Sequence, residues 1–353
     1  MTDAVDGPLL RHRPFALYWF ARVFSSGAFH MQAVAIGWQV YALTGSALAL
    51  GFVGLAQFLP MLVLTLVVGH VADRYPRRII VAICQGITGC AAALLTLGTA
   101  GGWLGAGGIF AVVTVVGAAR AFENPTMAAL VPVIVPESQL HRATAWSASA
   151  NQTAQIVGPA LGGLLFAIDP IVAFASASVL FLAACALSSL NRIAEAQRVR
   201  EPVTLASLFS GVAYVRAHPI ILGTLSLDLF VVLLGGVTGL LPIYARDILH
   251  TGPWGLGVLR SCPALGALAM SVVMAHRPLD RHVGTVLFGA VAIYGVATIV
   301  FSVSTALPLS MAALLALGAA DVISVVVRFS LVQLRTPDAM RGRVSALNAL
   351  FVG

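Results

Sequence analysis

The sequence predicts an all-α, polytopic membrane protein, because it is very hydrophobic, sparsely charged and carries its arginines in a one-sided pattern. Of 353 residues, 59% are hydrophobic and 9% are charged, and the mean hydropathy is +0.96. Soluble proteins carry about 25% charged residues. Fifteen arginines fall in predicted loops on one side of the membrane, whereas Arg246 alone falls on the other. This bias predicts a multi-pass protein of the inner or plasma membrane with a cytoplasmic N-terminus.

The composition excludes several classes of function. All 20 basic residues are arginine, which excludes a P-loop lysine, a Schiff-base lysine and a kinase lysine. The four cysteines lie inside apolar segments, unlike the spaced clusters of zinc sites or disulfide scaffolds. We therefore expect no enzyme activity, no catalytic residue, no metal and no cofactor. The net charge of +7 follows from membrane topology, so no nucleic-acid partner is expected.

Three membrane helices are predicted at the start of the chain, over residues 15–43, 47–72 and 79–100. Each is long enough to span a bilayer, which takes about 20 residues. The first is too long for a cleavable signal peptide, so it should remain in the protein. The short connection at Thr44 to Ser46 predicts an antiparallel hairpin. The charged stretch 73–78 predicts a tight turn at the membrane surface, because its charges cannot lie in lipid.

Helices four to six complete a predicted N-terminal six-helix bundle over residues 1–190. Helix four begins near Ile109 and is predicted to end at Asn124-Pro125, because Pro125, Pro132 and Pro136 should prevent one continuous helix. Helices five and six are predicted over 143–168 and 171–190.

A polar segment over residues 191–219 is predicted to be a cytoplasmic linker that contains an interfacial helix, because 205–217 has apolar residues at helical spacing. Helices seven to ten follow over 220–244, 254–275, 283–303 and 307–334, and Val344 begins an eleventh. The sequence therefore predicts about ten complete transmembrane helices and an incomplete C-terminal bundle over 220–353.

An internal repeat relates the two halves. The ten residues from Pro136 match the ten from Pro337 at an offset of 201, with proline, acid, arginine and alanine coinciding. Both stretches enter a membrane helix from the predicted cytoplasmic side, as two parallel, pseudo-symmetric halves require.

The turn between helices two and three has the spacing Gly-x-x-x-Asp-Arg-x-x-Arg-Arg. Charge alone is compatible with an ordinary positive-inside loop. The spacing resembles the corresponding loop of the major facilitator superfamily of secondary transporters, and that resemblance implies a conformational latch in which the aspartate lies near the N-terminus of helix eleven and the arginines tie neighbouring helices together. The latch residues would be Gly69, Asp73, Arg74, Arg77 and Arg78. The family usually has glycine where Pro76 stands, so the turn should be stiffer here.

Further motifs narrow the resemblance. The motifs are Trp38 to Tyr41 leading to Thr44 to Ala47, a Gly-Pro-x-x-Gly-Gly run in helix five, and Thr336 to Arg343. Together they resemble the drug and siderophore efflux branch of the superfamily, of the enterobactin-exporter type. The resemblance covers essentially the whole chain. The family pattern has two more helices than this chain, so the resemblance also predicts a product truncated at its C-terminus.

Gly158, Pro159 and Gly162 mark a predicted bend in helix five, because small residues allow close helix approach and proline bends the backbone. The resemblance implies an exporter signature at this position. A generic small-residue contact between helices is the alternative.

Several charged residues fall within apolar segments, where an unpaired charge costs several kcal/mol. These candidates for transport and proton coupling are Arg22, Arg120, Glu123, Asp228, Asp321 and Arg328. Arg120 and Glu123 are three residues apart, so a local ion pair is expected. Offsets of 201 and 206 match Arg120 with Asp321 and Arg22 with Asp228. We hypothesise a central cavity in which Asp228 or Asp321 exchanges a proton; static ion pairs between helices are the alternative.

These expectations combine into one interpretation, a monomeric, proton-coupled antiporter that exports a lipophilic small molecule by alternating access. Its partners would be the small-molecule substrate, protons and the lipid bilayer. An importer of the same fold, a non-transporting membrane sensor and an inactive fragment remain as alternatives.

Overall fold

A computed structural model of the chain describes residues 9–191, 236–276 and 283–335, together with residues 216, 218, 222, 223 and 226. Within these ranges, the side chains of 65, 66, 69, 70, 72, 73, 283 and 331–335 are not described. The described part is all-helical, as the composition predicts. The predicted interfacial helix over 205–217 and the start of an eleventh helix at Val344 lie outside the described residues.

Ten helices follow one another along the described part of the chain. They are α1 (Arg13–Thr44), α2 (Ala47–Arg74), α3 (Arg77–Ala100), α4 (Ala106–Ile134), α5 (Leu140–Ile168), α6 (Pro170–Leu190), α7 (Val237–Ile243), α8 (Gly252–His276), α9 (Val283–Val303) and α10 (Leu307–Arg335). The end of α7 continues as a π-helical turn, Tyr244–Ile248.

The hairpin between α1 and α2 is closed by local hydrogen bonds. Gly45 has φ 60°, a left-handed conformation that suits glycine, and its N–H donates to the Tyr41 carbonyl. Ser46 then caps α2, because its side chain accepts a hydrogen bond from the Ala49 N–H. Two residues thus suffice to reverse the chain.

The turn between α2 and α3 is shorter than the predicted 73–78, and that prediction was wrong in its bounds. Only Tyr75 and Pro76 connect the two helices, while Arg74, Arg77 and Arg78 lie within them. Tyr75 is extended, with φ −116° and ψ 151°, as expected for a residue that precedes proline. Pro76, with φ −57°, is preorganised to start a helix.

Helix α4 continues through Pro125 and Pro132 to Ile134, so the predicted end at Asn124-Pro125 was wrong. A proline removes one backbone hydrogen bond from a helix, but prolines are tolerated in membrane helices because neighbouring groups satisfy the freed carbonyls. The helix ends where Val135 becomes extended, just before Pro136.

Seven of the described helices are long and apolar enough to cross a membrane, namely α2, α3, α4, α6, α8, α9 and α10. Helices α1 and α5 have sufficient length, 32 and 29 residues, but carry more polar residues. The expected number of about ten complete spans therefore stays a prediction.

The chain divides into two compact units. The first contains Met1–Glu201 with Gly252–Gly257, and the second contains Pro202–Thr251 with Val258–Gly353. In the first unit, α3 packs against α6 and α4, α1 against α5 and α6, and α2 against α4; in the second, α9 packs against α10. A core that includes Phe15, Tyr18, Val81, Met127 and Ala143 joins α1, α3, α4 and α5 at one end of the first unit. The predicted bundle and linker bounds of 1–190, 191–219 and 220–353 stay predictions.

Candidate functional site

An ion pair on α4 lies in the interior of the first unit. The Nη1 atom of Arg120 is 3.2 Å from Oε2 of Glu123. The two side chains are 12% and 2% exposed. The three-residue spacing predicted this pair, and its burial means that each charge depends on the other for neutralisation.

Neutral polar side chains from three other helices complete the site. Ser25 of α1 donates to Oε1 of Glu123 at 2.5 Å, and Gln85 of α3 donates its Nε2 hydrogen to the same oxygen at 3.0 Å. Gln85 in turn accepts a hydrogen bond from Ser188 of α6 at 2.7 Å. We call Ser25, Gln85, Arg120, Glu123 and Ser188 the polar cluster. Three helices, α1, α3 and α4, thus contribute donors to one carboxylate, and α6 contacts it through Gln85.

The buried carboxylate of Glu123 is an acceptor for three groups. Ser25 and Gln85 donate to Oε1, and Arg120 donates to Oε2. Arg120 also lies over the ring of Phe29 at 4.3 Å from its centroid, which adds a cation–π interaction. In the described part of the chain, the buried Nε of Arg120 has no hydrogen-bond partner. The guanidinium is held by Glu123, by the aromatic ring and by a 3.4 Å hydrogen bond from its Nη1 to the Ser25 hydroxyl.

Arg22 lies on α1, one turn before Ser25. Its Nη1 is 3.4 Å from the hydroxyl of Tyr18, and that hydroxyl is 2.9 Å from the hydroxyl of Ser147 on α5. Its buried Nε has no hydrogen-bond partner among the described residues. Arg22 is thus a half-buried cation on α1, linked to α5 through neutral groups.

Asp321 and Arg328 lie on α10, in the second unit. They are seven residues apart, which is two turns and about 10.5 Å along a helix. The Nε of Arg328 donates to the Ser324 carbonyl at 3.1 Å. Asp228, the sixth candidate, lies outside the described residues. The structure therefore brings Arg120 and Glu123 together and places Asp321 and Arg328 on one helix face.

The arginines at the start of α3 include one interhelical contact. Arg77 donates from Nη1 to the Ala129 carbonyl of α4 at 3.0 Å. Arg74 is exposed and Arg78 is half-buried. Gly69 and Asp73 lie in α2 but belong to the positions whose side chains are not described. Arg77, a proposed latch residue, thus ties α3 to α4.

The glycines of α5 face α1 closely. A Cβ atom at Gly162 would lie 2.5 Å from the Met31 carbonyl oxygen, and one at Gly158 would lie 2.8 Å from Cβ of His30. Pro159 lies between them, inside a helix that continues to Ile168. This is the close backbone approach that small residues four apart permit.

Sequence reasoning missed the neutral members of the polar cluster. Gln85 offered a usable signal, since it is the one amide in a long apolar stretch of α3 and is fully buried. Ser25 and Ser188 offered none, because serine is common at packed membrane-helix contacts. In the described residues, His, Cys, Asp and Glu form no group of three or more that could hold a metal ion.

Comparison with known families matches residues 7–353 to the family described as "Transmembrane secretion effector". Among individual relatives, the macrolide efflux protein A of Streptococcus pyogenes is 24% identical over 234 residues, which is 64% of this chain and 57% of that protein. The chain thus matches little more than half of that protein's length.

Two relatives match over more of their length. The multidrug efflux pump Tap of Mycobacterium tuberculosis is 27% identical over 94% of this chain and 81% of the pump. The enterobactin exporter EntS of Citrobacter koseri is 25% identical over 96% of this chain and 82% of the exporter. The predicted resemblance to efflux proteins is confirmed by these matches.

Among solved structures, a bacterial homologue of the human lysosomal transporter Spinster, in an inward-facing state, superposes with a TM-score of 0.76 at 13% identity. The match covers 98% of this chain and 80% of that one. At this identity the likeness shows the fold alone, which is that of a membrane transporter.

Proposed function

The chain belongs to the transmembrane secretion effector family of the major facilitator superfamily, and on that basis we propose that it is a proton-coupled exporter of lipophilic small molecules. The family and its relatives are transporters, not enzymes, and the relatives are named for efflux of macrolides, of multiple drugs and of enterobactin. The substrate class proposed here is correspondingly a lipophilic or amphipathic small molecule. Alternating access of a monomer, with its N-terminus in the cytoplasm, is the proposed mode of action.

The observation that carries the proposal is the buried Arg120–Glu123 pair with its three donors to one carboxylate. Charges inside membrane helices commonly mark ion pathways and proton relays. Among the described residues, the acid Glu123 stands out because side chains of three helices, α1, α3 and α4, donate hydrogen bonds to its carboxylate. Glu123 is therefore added to Asp228 and Asp321 as a group that exchanges a proton during transport.

Protonation would change the polar cluster in a defined way. A proton that binds a carboxylate oxygen of Glu123 removes its negative charge and turns that oxygen into a donor. Arg120 is then left as a buried cation without its counter-ion, which is unfavourable by about 3–5 kcal/mol if nothing moves. An energy of that size is enough to shift a two-state equilibrium by about 100-fold or more.

The cost of this unpaired charge couples proton binding to a change of conformation. While Glu123 is protonated, a conformation in which water or substrate reaches Arg120 is favoured. When the proton leaves, the closed arrangement returns, in which Arg120 pairs with Glu123. Gln85 acts as a positioning residue, since its bond to Glu123 and its bond from Ser188 fix the carboxylate against α3 and α6. The arginine contact from Arg77 to α4 is proposed to belong to the latch that steadies the closed arrangement.

A reconstituted transport assay tests the proposal. The purified chain would be placed in proteoliposomes, and a fluorescent lipophilic dye such as ethidium would be followed after a step in pH. We expect dye movement driven by the pH gradient and abolished by a protonophore. Movement that ignores the gradient, or no movement at all, would contradict a proton-coupled exporter.

Matched variants locate the coupling group. Glu123→Gln should abolish gradient-driven dye movement, whereas the same substitution at the exposed Glu137 should leave it intact. Asp321→Asn tests the second unit in the same assay. Full gradient-driven movement in Glu123→Gln would remove Glu123 from the coupling mechanism and leave the transporter proposal itself standing.

A further inference from the structure

A long groove on the first unit is not part of the polar cluster. Its volume is about 1080 Å³, slightly above the range of about 300–1,000 Å³ found for drug-sized ligand pockets. Its walls come from α3, α4 and α6, with Ile83 and Ile87, Val115, and Cys185 among the lining residues. Ile83, Ile87 and Val115 are exposed at the protein surface, so the groove is open along its length.

Small residues create the groove. Gly86 and Ala82 of α3 and Gly108 and Ala111 of α4 lie between the larger side chains that form its edges. A Cβ atom at Gly86 would come within 3.5 Å of the Cys185 sulfur, so a larger residue there would narrow the space. The depression is thus a property of the sequence of α3 and α4.

The polar side chains that line the groove lie at one of its ends. Arg78 is the only charged residue among those that line it, and Ser189, whose hydroxyl donates to the Cys185 carbonyl, is the other polar side chain near that end. Arg78 is the second residue of α3, so it lies where that helix enters the membrane. From Arg78 to Leu94, at the far end, the remaining lining residues are mostly aliphatic.

We propose that this groove binds an anionic phospholipid of the leaflet that borders the start of α3, with an acyl chain along α3 and the headgroup phosphate on Arg78. The guanidinium matches a phosphate in charge and geometry, and the aliphatic walls match a hydrocarbon chain. This site is additional to the proposed transport function and does not depend on it.

The dimensions and the surroundings both favour this occupant. The 16 residues from Arg78 to Leu94 span about 24 Å along a helix, and one leaflet with its headgroup region is about 20–22 Å thick. A concave aliphatic surface inside a bilayer offers no partners to water, and leaving it empty would forfeit dispersion contacts along both walls. A hydrocarbon chain supplies those contacts.

A neighbouring depression differs from the groove in having no charged lining residue. It encloses about 480 Å³ between α2, α3 and α4, and its lining includes Tyr75, Ile80 and Phe122 but no charged residue. Lipid in that depression has no cation to select a headgroup. Selectivity for anionic lipid is therefore the property that singles out the groove with Arg78.

Native mass spectrometry of the purified chain, equilibrated with phosphatidylglycerol and phosphatidylcholine in equal amounts, tests the proposal. We expect the wild-type protein to retain phosphatidylglycerol preferentially. Arg78→Gln should lower that preference by about fivefold, the effect of one basic side chain near a charged membrane surface. Arg78→Lys should restore most of it, and Arg142→Gln, at an exposed arginine outside the groove, should leave it unchanged.

A second pair of variants tests whether a lipid acyl chain occupies the groove. Cys90 is exposed and lines the groove, whereas Leu97 lies two turns further along the same face of α3 and does not. Cys90→Trp should lower retention of both lipids, and Leu97→Trp should not. Equal loss of selectivity in the Arg78 and Arg142 variants, or unchanged retention in Cys90→Trp, would overturn the proposal. If Arg78→Gln does not yield folded protein, the Cys90 and Leu97 pair decides alone.

Discussion

The Arg120–Glu123 pair makes a quantitative prediction about stability. Glu123→Gln preserves an oxygen that can accept from Ser25 and Gln85, but it removes the negative charge and replaces the oxygen that accepts from Arg120 with an NH₂ donor. Arg120 is then a cation that is 12% exposed and faces a neutral amide. Breaking a buried ion pair on one side destabilises a protein by about 3–5 kcal/mol. We expect the lower end, about 3 kcal/mol, because the Phe29 ring continues to stabilise the guanidinium.

The converse variant should behave similarly. Arg120→Gln leaves Glu123, which is 1% exposed, as a buried anion with only the donors from Ser25 and Gln85. When both residues are changed to glutamine, no charge remains uncompensated. The double variant should therefore be more stable than the sum of the single effects predicts, by about 2 kcal/mol.

The measurement is a double-mutant cycle in detergent micelles, with unfolding by denaturant followed by tryptophan fluorescence and circular dichroism. Glu137→Gln, the same change at an exposed position, is the control and should lie within about 0.5 kcal/mol of the wild type. Additive effects in the cycle, with no coupling free energy, would refute the reasoning that the two charges neutralise each other inside the protein.

Two further predictions concern helix contacts. Gly162→Ala should destabilise the first unit by about 1–3 kcal/mol, because its Cβ would lie 2.5 Å from the Met31 carbonyl oxygen. The control is Gly54→Ala, where the added Cβ meets open space. This control should be neutral or slightly stabilising in the same unfolding assay. Arg77→Gln should lose the charge-assisted bond to the Ala129 carbonyl and about 1 kcal/mol of stability, and an undiminished unfolding midpoint would show that this bond contributes nothing.

Charges and apolar runs predicted much of the helical layout. Seven of the described helices begin and end within two residues of their predicted bounds, because short polar connections flank long apolar runs there. They are α1, α2, α3, α6, α8, α9 and α10. The end of α4 was misplaced because proline was treated as the helix breaker that it is in soluble proteins, whereas prolines are tolerated inside membrane helices, where neighbouring groups satisfy the freed carbonyls. The amphipathic signal that usually locates a helix is weak here, since most faces of these helices are apolar.

The candidate site was predictable in part, for a physical reason. A charge in an apolar segment must find a partner, so Arg120 and Glu123 stood out, and their spacing placed both on one helix face. The donors from α1 and α3 could not be foreseen, because which faces of distant helices meet depends on packing rather than on spacing along the chain. The family match and the efflux relatives support the predicted transporter, while the roles of the individual residues stay proposals.

Only two residues, Tyr75 and Pro76, connect α2 to α3, so the connection has little length in which to absorb a movement of either helix. A displacement at the end of α2 must be passed on to the first turn of α3, since a rigid proline offers no room to absorb it. Arg77 carries the same displacement across to α4 through its bond to Ala129. We therefore expect α2, α3 and α4 to move together at this end of the first unit, and a few flexible residues inserted after Tyr75 should uncouple α2 from α3 while leaving every helix intact.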